Sequence, residues 1–162
     1  MIRIVELKRD DIPFLNGIRN ECAEDYLHDS RTFSVDETYK WFDKNNPEYY
    51  VIEYDTCKIG YFRTSNYSIA NHNIYIGADL HRDWRGKGLA YKAYRVFIPF
   101  LFDKHSLNKI SLEVLSTNIV AKNLYRKLGF VFEGTKREEV HKKDRYVDSE
   151  VWSILKKEYS YE

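Results

Sequence analysis

A mixed α/β fold, with one central, mostly antiparallel sheet of about seven strands and helices on both faces, is what the 162-residue sequence predicts. Three observations lead there. Short runs with period-two alternation recur along the chain, and stretches with helical spacing stand between them. The seven glycines are scattered singly, with no Pro/Ser/Gly linker. Nothing in length or composition divides the chain, so residues 1–162 are read as one domain around one core.

The elements follow in order. IRIVELK alternates apolar and polar residues as a first strand. Asp10 or Asp11 offers an N-cap and Pro13 a first-turn residue for a helix through Ile18. The next stretch, RNECAEDYLHDSRTF, has no clean period and reads as loop with some helix. Ser34 followed by Glu37 makes a capping box for a second helix through Trp41 and Phe42. YYVIEY and KIGYFRTS form a hairpin about DTCK, and NIYIGADL is a fourth strand in which Gly77 suggests a bulge or a close backbone approach. A long helix starts at Gly88, with Pro99 expected to kink or shorten it. KISLEVL is a fifth strand. Asn118 caps a helix whose apolar positions are Ala121, Leu124, Tyr125 and Leu128, and Gly129 stops it. FVFEG, a charged turn and VDSEVWSIL close the chain as an antiparallel pair, the run KREEVHKKDR being expected as a solvated hairpin tip.

Composition narrows the function. Lys and Arg number 26 against 25 Asp and Glu, so the broad basic field of sequence-independent nucleic-acid binding is missing, and no nucleic-acid partner is expected. Charges at Arg3, Glu6, Lys8, Arg9, Asp10 and Asp11 break any signal-peptide apolar region, and the longest apolar run, VFIPFLF, is too short for a bilayer. A cytoplasmic protein with no membrane partner is expected. Cys22 and Cys57 lack metal or redox spacing; they read as a small core or surface residue each, with no metal site.

The chemistry concentrates in RDWRGKGLAYKAY, residues 82 to 94, at a strand-to-helix corner. A helix N-terminus presents unpaired N–H groups and partial positive charge, and glycine lets an anion come close. The amides of Lys87, Gly88, Leu89, Ala90 and Tyr91 would face such an anion, with Arg82, Arg85 and Lys87 as mobile charge nearby. The P-loop pattern is absent, and the dinucleotide GxGxxG fails because Tyr91 holds its third glycine position. From the loop alone, a phosphate cradle and plain turn geometry fit equally.

Context separates them. Arg85-x-x-Gly88-x-Ala90 resembles the acetyl-CoA pyrophosphate motif R/Q-x-x-G-x-G/A of the GNAT N-acetyltransferase superfamily. LEVLSTNIVAKNLYRKLGF resembles that family's N-x-x-A-x-x-L-Y-x-x-x-G-F segment, with Asn118, Ala121, Leu124, Tyr125, Gly129 and Phe130 in place. The resemblance covers residues 73 to 156 strongly and the first 70 in element order only; the tail looks most like the RimJ/RimL-type and nucleotide-amino-sugar acetyltransferases. It implies a GNAT-like sheet whose fourth and fifth strands splay around the pantetheine arm of acetyl-CoA, Gly77 being a plausible bulge for that splay. Backbone of Ala78, Asp79 and Leu80 would meet pantetheine, the loop from Arg85 through Gly86 to Ala90 would meet pyrophosphate, and Asn118 would reach the coenzyme arm.

The implied reaction is direct attack of a neutral primary amine on the thioester, without a covalent nucleophile. By pattern Tyr125 is a helix-face aromatic; the resemblance makes it the general acid at the coenzyme sulfur and a coenzyme contact. Ile74 stands where many relatives carry a catalytic glutamate, which leaves Glu113 or His72, through water, for the base. Acceptor residues are expected in the irregular segment after the first helix: Arg19, Asn20, Glu24, Asp25, Tyr26 and Phe33. The expected partner is a small-molecule amine, a nucleotide-linked amino sugar first, a protein N-terminus or polyamine as the alternative. A non-catalytic acetyl-CoA-binding module is the rival of another class. The chain is expected as monomer or homodimer.

Overall fold

The computed structural model describes residues 1–161. Its strands are β1 (Ile2–Glu6), β2 (Tyr50–Tyr54), β3 (Cys57–Ser68), β4 (Asn73–Leu80), β5 (Lys109–Leu115), β6 (Val131–Lys142) and β7 (Arg145–Leu155). The helices are α1 (Ile12–Cys22), α2 (Val35–Asn45), α3 (Leu89–Lys104) and α4 (Ile119–Leu128). One seven-stranded sheet runs in the order β1-β2-β3-β4-β5-β7-β6, antiparallel throughout except where β4 lies parallel to β5. The element order is the one expected.

Local chemistry explains the joints. Asp55 and Thr56 both take positive φ between β2 and β3, the backbone of a two-residue hairpin loop whose twist suits the strands. The Ser34 hydroxyl accepts the Glu37 N–H at 3.1 Å and opens α2. α1 runs to Cys22 rather than stopping at Ile18, because Ile12, Leu15, Ile18 and Cys22 form one buried stripe; Arg19, Asn20 and Glu21 are the polar face of that last turn. α3 passes through Pro99 and continues to Lys104. Proline there cannot donate to the Arg95 carbonyl, and the Tyr159 hydroxyl donates to it instead at 3.3 Å. Buried Leu101 and Phe102 hold the second half of the helix to the core.

The charged run expected as a hairpin tip is mostly strand. β6 extends to Lys142 with the pairs Val140↔Val147 and His141↔Tyr146, so the tip shrinks to Lys143 and Asp144. Val140 and Val147 pack with Leu115 in a small satellite core, a long-range contact that local composition does not reveal.

The sheet separates two apolar layers. α3 and α4 cover one face, where Phe62, Ile74, Ile110, Leu112 and Tyr125 pack with Phe97. On the other, Ile12, Leu15 and Ile18 of α1 pack against Val51 and Tyr61. β4 and β5 pair only at Asn73↔Lys109, Ile74↔Ile110 and Tyr75↔Ser111, and then diverge. β4 stays bonded to β3 as far as Leu80 and β5 to β7 as far as Leu115, so the opening is a wedge within an otherwise intact sheet. Gly77 is not the bulge expected: the β3–β4 ladder passes through Arg63↔Gly77 in register, and its irregularity lies between Ser65 and Ser68. The missing side chain makes room for another residue instead, since a Cβ there would stand 2.5 Å from Arg63 Nη2. Among the described residues no helix is long and apolar enough to cross a membrane, and no group of three or more His, Cys, Asp or Glu is placed to hold a metal ion.

Candidate active site

Where β4 ends, the chain turns at residues 82–84, passes Gly86 and Gly88 at φ +72° and +73°, and enters α3. A Cβ on either glycine would meet nothing within 4 Å, so the space above the corner is open and only the left-handed backbone calls for glycine. The Lys92 N–H donates to the Gly88 carbonyl at 3.4 Å, and the amides of Leu89, Ala90 and Tyr91 belong to the helix end that has no intrahelical acceptor. This corner fits a diphosphate. Lys87 is exposed beside it, its Nζ 5.3 Å from the Trp84 ring.

Arg85 is not the mobile charge expected. Its Nε donates to the Leu80 carbonyl at 3.0 Å, and its two terminal nitrogens reach the Glu21 carboxylate at 3.2 and 2.5 Å. Nη2 also lies 3.0 Å from Cys22 Sγ, and the guanidinium stands 5.2 Å from the Tyr26 ring. Arg85 therefore pins the corner to the end of α1, and its hydrogen bonds hold the Glu21 carboxyl below the usual range. Tyr26, expected at the acceptor site, belongs to this anchor. Burial pushes the Cys22 thiol up to about 12, which keeps it protonated at neutral pH.

The wedge starts one residue beyond Tyr75, and its two sides differ. On the α3/α4 side Tyr125 is buried against Tyr94 and Phe130, with ring centroids 6.1 and 5.9 Å away. Burial raises its pKa and a hydrogen bond with the Tyr94 hydroxyl opposes that rise, so the phenol is a proton donor at neutral pH. Asn118 Oδ1 accepts the Ala121 N–H at 3.1 Å: its carbonyl oxygen serves as the helix cap that fixes α4 and hence Tyr125. Ala78 and Leu80 are half-buried against the α3/α4 core, while Asp79 is buried with its carboxylate 3.1 Å from Arg63 Nε.

On the α1/α2 side lies a cleft of about 680 Å³. Arg19, Phe33 and Glu113, all predicted, line it. Asn20 does not: it donates to the Phe33 carbonyl at 2.7 Å and accepts the Phe33 N–H at 3.0 Å, clamping the loop that presents the ring. Arg19 and Asn20 sit on α1 rather than in the irregular segment. Glu24 and Asp25 are exposed outside the cleft. His72 is exposed in the turn before β4, at the closed end of the wedge, five residues or roughly 16 Å from Gly77 at about 3.3 Å per residue.

Sequence reasoning missed most of the cleft lining, His28, Trp41, Tyr49 and Arg63 among it. Trp41 follows Glu37 by one helical turn and shares its face, a spacing readable once α2 was placed. Trp41 and Tyr49 rings meet at 5.3 Å, and Tyr49 stacks with Tyr61 at 6.2 Å. His28 Nε2 stands 2.7 Å from Ser149 Oγ and 3.8 Å from Glu113 Oε2, contacts with β7 and β5 that no local pattern announces. Its segment is tied down by Lys142, whose Nζ donates to the Ala23 carbonyl at 2.7 Å and to Ser30 Oγ at 2.8 Å.

Comparison with known proteins agrees with this geometry. The model of the acetyltransferase (GNAT) family matches residues 15–130. The uncharacterized N-acetyltransferase p20 of Bacillus licheniformis is 36% identical over 90 residues, 56% of this chain, and the match spans about half (51%) of that relative's length. Spermidine N(1)-acetyltransferase of Escherichia coli is 24% identical over 163 residues, covering 98% of this chain and 88% of that protein. The crystal structure of spermidine N-acetyltransferase from Vibrio cholerae, in complex with CoA and spermine, superposes with a TM-score of 0.91 at 26% identity, covering 98% of this chain and 97% of the other.

Proposed function

As this chain belongs to the acetyltransferase (GNAT) family, we propose that it transfers the acetyl group of acetyl-CoA directly to a primary amine of a small polycationic acceptor, a polyamine. The observation that carries the reading is the wedge: it joins an amide-lined anion corner and a buried phenol on one side of the sheet to an aromatic, carboxylate-bearing cleft on the other.

Acetyl-CoA supplies the activated acetyl group. The amides of Gly88 to Tyr91 would hold its diphosphate, and the unpaired edges of β4 and β5 its amide-bearing arm. Tyr125 gives a proton to the departing sulfur. In the cleft, Asp29 is matched by Arg31 at 2.7 Å, while Arg19 donates to the Asp29 and Arg31 carbonyls and Arg63 faces Asp79. Glu37 has no ion-pair partner among the described residues and shares its face with Trp41, so a second ammonium of the acceptor would find a carboxylate and an aromatic face together. The named spermidine acetyltransferases support this acceptor class over the amino-sugar branch to which the tail pointed. A nucleotide-linked amino sugar is the second reading, favoured by the ring walls of Phe33, Trp41 and Tyr49 beside Arg19 and Arg31.

Release of CoA thiol, measured across spermidine, spermine, a nucleotide-linked amino sugar and peptides with free N-termini, tests the proposal. The largest kcat/KM is expected with a polyamine. A preference for the sugar or a peptide would refute that acceptor class, and CoA binding without turnover on any amine would favour the non-catalytic module.

A further inference from the structure

We infer that His28 is the general base, its Nδ1 taking the proton of the acceptor ammonium while Ser149 and Glu113 hold the opposite edge of the ring. This rests on the acetyl-transfer reading above and assigns the proton acceptor that neither Glu113 alone nor His72 provides. His72 stands at the wrong end of β4, and Glu113 already faces Lys136, to which it is hydrogen-bonded.

The geometry is that of an oriented imidazole. In β7, Ser149 pairs with Leu115 of β5, so its side chain and that of Glu113 emerge on the same face of the sheet, and His28 docks over both with Nε2. Ser149 is fully buried and can bond the ring but cannot touch an acceptor. Nδ1 is different: no described residue bonds to it, and it is not among the sealed, unpartnered atoms, so it meets solvent on a residue that lines the cleft. Placing the proton on Nε2, where the Ser149 hydroxyl oxygen can receive it and the Glu113 carboxylate lies 3.8 Å away as a nearby negative charge, leaves the Nδ1 lone pair for the acceptor.

Glu113 of β5 is the charged group in contact with the ring, and Arg63 of β3 with Glu139 and Lys142 of β6 act on it from further away. Burial is the strongest influence and lowers the imidazole pKa, with Glu113 pulling it up and Arg63 and Lys142 down. The ring is thus neutral and ready to accept at neutral pH, and Glu113 stabilises the imidazolium once formed. The ammonium gives one proton to His28; the neutral amine forms the C–N bond as the C–S bond breaks; Tyr125 protonates the leaving sulfur and is restored by the second proton the nitrogen sheds; His28 returns its proton to solvent. The base and the acid lie on opposite faces of the sheet, and the wedge is where those faces meet.

The test is a pH–rate profile for wild type, His28→Gln and Glu113→Gln with the best amine, alongside nitrogen NMR of the labelled imidazole in protein saturated with CoA. Beyond the amine's own titration, wild-type kcat/KM should rise through a midpoint below 6.5, the ordinary histidine value. His28→Gln should lose that limb and about 10²- to 10⁴-fold in kcat/KM, with CoA affinity unchanged by calorimetry. Glu113→Gln should move the limb to lower pH, and the NMR should show the proton on Nε2. A His28→Gln protein that binds CoA normally and retains activity within about threefold and the same limb, or a proton found on Nδ1, overturns the assignment. A wild-type protein that acetylates no amine overturns the acetyl-transfer reading together with the role of His28, while the NMR independently decides whether the ring is held as described.

Discussion

Replacing Gly86 or Gly88 by alanine tests whether main-chain amides hold the coenzyme diphosphate. The two positions have almost the same φ, +72° and +73°, and neither added Cβ meets a protein atom within 4 Å. The cost to folding is therefore the left-handed backbone alone, about 1–2 kcal/mol for each variant. For a chain of this length about 2–4 °C is lost per kcal/mol, so each melting temperature should fall by about 2–8 °C, and by similar amounts in the two variants. Binding should suffer more than stability. Displacing even one amide that donates to a phosphate oxygen removes about 1.5–3 kcal/mol, which raises the Kd for CoA about 10- to 150-fold. Scanning fluorimetry without ligand and titration calorimetry with CoA measure the two effects separately. Acetyl-pantetheine, which lacks the diphosphate, should bind both variants as it binds wild type. CoA affinity within about twofold of wild type in both variants, despite the expected melting shift, would refute the amide cradle.

Tyr125→Phe should lower kcat by about 10²- to 10⁴-fold and also cost about 1–3 kcal/mol of stability, because the fully buried Tyr94 hydroxyl loses its partner; undiminished turnover would remove the phenol from the mechanism. Lys142→Met frees the Ala23 carbonyl and Ser30, so the segment carrying His28 should loosen. Acceptor KM should then rise while calorimetric CoA affinity stays constant, and an unchanged KM would show that the segment holds itself. Glu21 has a folded pKa below its unfolded value near 4.5, so its pair with Arg85 adds stability above that pH and loses it as pH falls through the lower folded value. The pair is partly exposed and should contribute under about 1 kcal/mol. Melting temperatures from pH 6 to 3 should show a shallower acid decline in Glu21→Gln, and an identical decline would deny the pair any linkage to folding.

Which features could be read without coordinates follows from their range along the chain. Strands β4 and β5, the Ser34 and Asn118 caps and the Gly86–Gly88 corner depend on residues a few positions apart, and all stand where the sequence places them. α1 runs past its sequence signal because its last turn is polar outward and buried only through Ile18 and Cys22. The second half of β6 reads as a tip because its charges hide Val140, whose partners are Val147 and Leu115. The same limit applies to the site. Glu113, to which the family resemblance points, and Phe33, to which loop context points, line the cleft, whereas His28 is placed by Ser149, 121 residues away. Arg85 stands in the loop expected, but its side chain is engaged by Glu21, 64 residues earlier, which no local pattern reveals.

Only three residue pairs stitch β4 to β5, so the seven strands behave mechanically as two panels sharing a short seam. Anything lying along the open edges with amide groups of its own supplies rungs to both panels and becomes a removable eighth strand. Deuterium uptake at Ile76 to Leu80 and Leu112 to Leu115 would then report how far the seam has been zipped, and the protein would be stiffest while loaded and slackest once the groove empties.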